Sequence, residues 1–153
     1  MSYKAVTFLI HATLVLALPL AAQTISVDLL RQELPPKAKE VLGKANRASQ
    51  AGDHTAAIHL LESAHEKFPQ SDAWTESLLG VEYLKTMQFE AAASALECAV
   101  ALLPLDAVDR ANLGFALAKL GRTAEAAEQL RRAVELDTTN KKTRQLLSLV
   151  LQQ

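Results

Sequence analysis

Residues 113–137 read LGFALAKLGRTAEAAEQLRRAVELD, and their spacing decides the fold. Leu113, Gly114, Leu117 and Leu120 fall on one face of a helix. Gly121 follows where that helix must stop and reverse, a task for a residue tolerant of positive φ. A second face then opens with Ala126, Ala127, Leu130, Ala133 and Val134. The small residues matter as much as the leucines, because two helices cross closely only where a neighbour's ridge can enter. The stretch therefore predicts two antiparallel helices packed tightly together.

The same pattern runs outward in both directions. Leu79-Gly80 recurs as Leu113-Gly114 and again as Leu147-Ser148, each 34 residues on, and Tyr83 is followed at that interval by Leu117 and Leu151. In the second half of the unit, Ala92, Leu96 and Ala99 map onto Ala126, Leu130 and Ala133. An earlier trio, Ala57, Leu61 and Ala64, is offset by 35, which fits an insertion near Asp72. Pro69, Pro104 and Thr138 close the units, while Gly52, Met87 and Gly121 mark their midpoints. A period of this length signals an all-α solenoid in which each helix pair stacks on the next. Helices are expected near 36–51, 53–67, 73–86, 88–102, 107–120 and 122–136. A last helix over 140–151 repeats only the first half of a unit; Lys141, Lys142, Arg144 and Gln145 keep it wet on one side, as a cap requires.

On these residues the chain resembles a tetratricopeptide repeat protein, whose pattern is Trp-x2-Leu-Gly-x2-Tyr, then Ala-x3-Phe, a further Ala and a Pro. The resemblance covers about residues 38–151, with repeats near 38–71, 73–106 and 107–140 and a capping helix over 141–153. It departs at the Trp slot, which falls on Val41, Glu76 and Arg110, and at Thr138 in place of the third Pro. The resemblance implies a right-handed superhelical solenoid whose first helices line a concave groove for a peptide or partner helix. Carried over residue by residue, that groove receives Asn46, Trp74, Val81, Leu84, Lys85, Phe115 and Lys119, with Leu149 from the cap. Of the places that grip a C-terminal carboxylate in one subset of this family, only Asn46 matches; Leu42, Leu78, Val108 and Asn112 occupy the others. The implied ligand is a protein segment with apolar anchors and acidic character, to meet Lys85 and Lys119.

The N-terminal residues read as an address. Lys4 precedes an apolar run from Ala5 to Leu18, Pro19 breaks it, and Ala21-Ala22 supply small residues before Gln23. This order is that of a secretory signal peptide over residues 1–22, so the chain is expected to be exported, periplasmic or secreted; uncleaved, the segment becomes a membrane anchor. The run is short for a span of roughly 20 apolar residues, and none is expected in the mature chain. Residues 23–37 read as an extended N-terminal arm in which Ile25, Val27 and Leu29 alternate, placed either along the groove or free as a tether.

Composition narrows the rest. Among 153 residues, 16 are basic and 17 acidic, a net of −1, which argues against nucleic acid as a partner. The single cysteine, Cys98, makes neither an internal disulfide nor a thiolate metal site. It stands where the other copies have Ser63 and Arg132, so it is expected to face outward. His54, His59 and His65 lack the i,i+4 spacing of a helical metal pair, and no phosphate loop or nucleophile elbow occurs. No catalytic residue, metal or cofactor is expected. The reading is a non-catalytic interaction module; its alternative is a self-assembling structural protein joined through the solenoid ends or Cys98.

Overall fold

The computed structural model describes residues 34–152. The signal-peptide reading of residues 1–22 and most of the arm, 23–33, lie outside them. Seven helices follow in order: α1 (Pro36–Gln50), α2 (His54–Lys67), α3 (Asp72–Lys85), α4 (Phe89–Leu102), α5 (Ala107–Lys119), α6 (Thr123–Leu136) and α7 (Lys141–Val150). Their bounds depart from the expected ones by about one residue, and a 3-10 turn over Pro69–Ser71 joins α2 to α3. Each helix packs on its successor along the chain, the arrangement of stacked pairs. No helix of the described residues is long and apolar enough to cross a membrane.

Local chemistry sets the helix ends. Asp53, Asp106 and Asn140 cap α2, α5 and α7 by accepting backbone N–H groups of the first turn. Pro36 opens α1, where its missing N–H is not needed. At the midpoints, Gly52 and Gly121 take φ of 82° and 74°. Met87 takes the same left-handed turn at φ 59°, although it has a side chain to accommodate.

Within each pair the helices approach closely. A Cβ on Gly80 would lie 2.4 Å from Leu96 Cγ, and one on Gly114 would lie 2.6 Å from Leu130 Cγ. No side chain fits there, so Leu96 and Leu130 seat directly on the backbone of the first helix. The buried residues form two clusters along the stack. One joins Leu42, Leu61, Trp74 and Leu79, and includes Leu34, the first described residue. The other joins Leu84, Leu96, Leu113, Phe115, Leu117, Leu130 and Val150. Tyr83 packs against both and makes the core continuous.

Candidate functional site

First helices of successive units meet one another directly, and this defines the inner layer of the solenoid. Between α1 and α3 the meeting is a network around Glu82, which is 3% exposed. Ser49 Oγ donates to Glu82 Oε1 at 2.7 Å, and Lys85 Nζ reaches the same oxygen at 2.6 Å. His54 Nδ1 lies 2.9 Å from Glu82 Oε2, and Lys85 Nζ also donates to Ser49 Oγ at 2.8 Å. Both oxygens of the buried carboxylate are therefore satisfied, and its charge has a cation beside it.

Between α3 and α5 the seam is sparser. Ser77 Oγ donates to Asp109 Oδ1 at 2.7 Å. Asp109 and Asn112, one turn apart on α5, are fully buried. Asp109 Oδ2, Asp106 Oδ2, Trp74 Nε1 and both amide atoms of Asn112 find no partner among the described residues. Removal from water pushes Asp109 up to about 7, with the Asp106 carboxylate adding to the shift and the Ser77 bond opposing it. The carboxyl therefore holds its proton well above the usual carboxylate range.

The expected groove residues fall into two sets. Trp74, Val81, Leu84 and Phe115 are buried, Trp74 in the first cluster and Leu84 and Phe115 in the second. Asn46 is half-buried, and Lys85 is tied into the Glu82 network. Lys119 is exposed, its ammonium 5.5 Å from the centroid of the Phe115 ring, a cation–π geometry. Phe115 also meets Phe89, edge to face at 6.3 Å. Leu149 occupies on α7 the register of Val81 and Phe115, and it is exposed. Lys119 and Leu149 thus leave a cation and an apolar side chain exposed at the C-terminal end of the inner layer.

Sequence reasoning singled out neither Glu82 nor Asp109. A signal was present: Thr75, Asp109 and Thr143 recur at the 34-residue interval, and all three are buried. Cys98 is exposed; what burial it has, with Glu76, Glu97 and Asp72 nearby, raises its pKa and disfavours the thiolate. Among the described residues, no group of three His, Cys, Asp or Glu is placed to hold a metal ion.

Residues 110–140 match the family model described as the tetratricopeptide repeat. Among solved structures, the Sgt2 TPR domain from Aspergillus fumigatus is 19% identical, with a TM-score of 0.71 over 78% of this chain and 80% of that one. The first TPR of Spaghetti (RPAP3), bound to the HSP90 peptide SRMEEVD, is 23% identical, with a TM-score of 0.72 over 76% and 91%. The second TPR domain of human RPAP3, in complex with the HSP70 peptide SGPTIEEVD, is 21% identical, with a TM-score of 0.71 over 76% and 97%. No curated protein sequence matches the chain. The fold is an all-α solenoid of the tetratricopeptide type.

Proposed function

We propose that this chain is a non-catalytic interaction module that holds a protein segment against its inner layer, outside the cytoplasm. The observation that carries the reading is the exposed Lys119 above the Phe115 ring, with exposed Leu149 in line on α7. An apolar contact beside an available cation suits a segment with an apolar anchor next to an acidic residue. Peptide-bound neighbours of the same fold support a protein-interaction role. The ligand differs from theirs: Leu42, Leu78, Val108 and Asn112 stand where a carboxylate-gripping groove needs other donors, so recognition of a free C-terminus is not expected. The order of charge, apolar run and small residues in 1–22 supports export.

Affinity capture with the full chain tests the reading, beside a Lys119→Glu/Leu149→Glu variant of matching circular dichroism. A protein retained by the first bait and lost by the second is the expected result. Retention by both removes the inner-layer site. Mass spectrometry of the exported product checks the address, with a mature N-terminus at Gln23 expected.

A further inference from the structure

The chain that precedes α1 joins the fold at the inner layer. Leu34, the first described residue, is buried in the cluster that holds Leu42 of α1 and Trp74 of α3, two successive first helices. Pro35 continues it in extended backbone, at φ −53° and ψ 141°, and a residue before proline is itself pushed toward extension. An indole of the same cluster lacks a partner: Trp74 Nε1 is buried with no acceptor among the described residues. A buried N–H is seldom left so, and an extended strand brings a carbonyl at every residue. At the other end of the layer, Lys119 and Leu149 stand exposed.

We propose that residues 23–33, QTISVDLLRQE, lie extended along the inner layer of their own chain and occupy its Lys119–Leu149 end. The arm is thereby a built-in competitor of the partner segment, a regulation that rests on reading that end as the binding site. Three properties select this occupant. The first is reach. Trp74 and Val108 share a register, and Lys119 lies eleven residues beyond Val108, about 17 Å along α5. With one step of about 8–10 Å from α3 to α5, the diagonal is about 20 Å. Asp28, six residues before Leu34, spans about 20 Å when the chain is extended. The second is charge, because Asp28 beside Leu29 places an acidic residue next to an apolar one, as the exposed end requires. The third is alternation. Ile25, Val27 and Leu29 share one face of a strand and suit Leu149, while Asp28 takes the opposite face, toward the ammonium held over the Phe115 ring.

The test compares the natural full chain with one in which residues 24–33 are replaced by Gly-Ser repeats, at matching circular dichroism. Amide NMR shifts at Lys119 and Leu149 are expected to differ between the two. A synthetic peptide of residues 23–34 should then bind the Gly-Ser chain saturably, and the natural chain about tenfold more weakly or less, since the tethered arm competes. Lys119→Glu in the Gly-Ser chain should abolish that binding, and Asp28→Lys in the peptide should restore it. No saturable binding, equal binding to both chains, or indifference to the charge exchange overturns the proposal. So does sedimentation showing a dimer that the Gly-Ser replacement dissolves, because the arm then sits on a second copy. Affinity capture reports on the site separately. A partner lost by Lys119→Glu/Leu149→Glu but held equally by the natural and Gly-Ser chains keeps the binding site and overturns the competing arm.

Discussion

The two inner seams bury carboxyl groups in opposite ways. Glu82, between α1 and α3, has Ser49, Lys85 and His54 on its two oxygens. Asp109, between α3 and α5, has Ser77 alone, and it sits one turn from an Asn112 that bonds to nothing described. A buried charge is tolerated when paired, and a lone buried acid answers desolvation by holding its proton instead. The first seam is thus closed and saturated. The second keeps hydrogen-bonding capacity unspent at Asp109 and Asn112.

Breaking the saturated seam has the largest effect. Glu82→Ala leaves the Lys85 ammonium, itself largely buried, without its counter-ion, and should lower unfolding free energy in urea by about 3–5 kcal/mol. The sparse seam is tested by pH. Because the folded pKa of Asp109 lies above its ordinary value of 3.8, at about 7, the native state binds more protons than the unfolded one between those values. Stability therefore falls as pH rises across that window, by on the order of 2–4 kcal/mol, and stays low above it. Asp109→Asn should remove this component, seen as a flatter profile of urea midpoints than that of the natural chain. A smaller effect of opposite sign comes from Asn112→Leu, which replaces unpaired buried polar atoms by apolar ones and should raise stability by about 1–2 kcal/mol. Outside both seams, Met87→Gly relieves the left-handed turn and should add about 1 kcal/mol or less by the same assay.

The period of 34 made the helices and their partners legible, because it rests on apolar spacing and on glycines that packing enforces. The small residues at Gly80 and Gly114 announced close helix crossings, which Leu96 and Leu130 fill. What lay beyond it was the depth of individual side chains in the inner layer. Trp74 and Phe115 look like groove anchors in a linear register, yet stacking puts both into the core. Spacing did not single out Glu82 and Asp109, where the first helices press against each other. Burial of this kind depends on how neighbouring units pack, and a single helix's periodicity does not encode it. Lys119, expected as a groove cation, is exposed, and the structure adds the ring beneath it.

The most direct test of the account is calorimetric titration of the segment captured by the full chain against three proteins of matching circular dichroism: the natural chain, Lys119→Glu/Leu149→Glu and Arg144→Glu. The account predicts affinity reduced about tenfold or more by the first variant and unchanged by the second. Equal affinity for the natural chain and the Lys119→Glu/Leu149→Glu variant contradicts it.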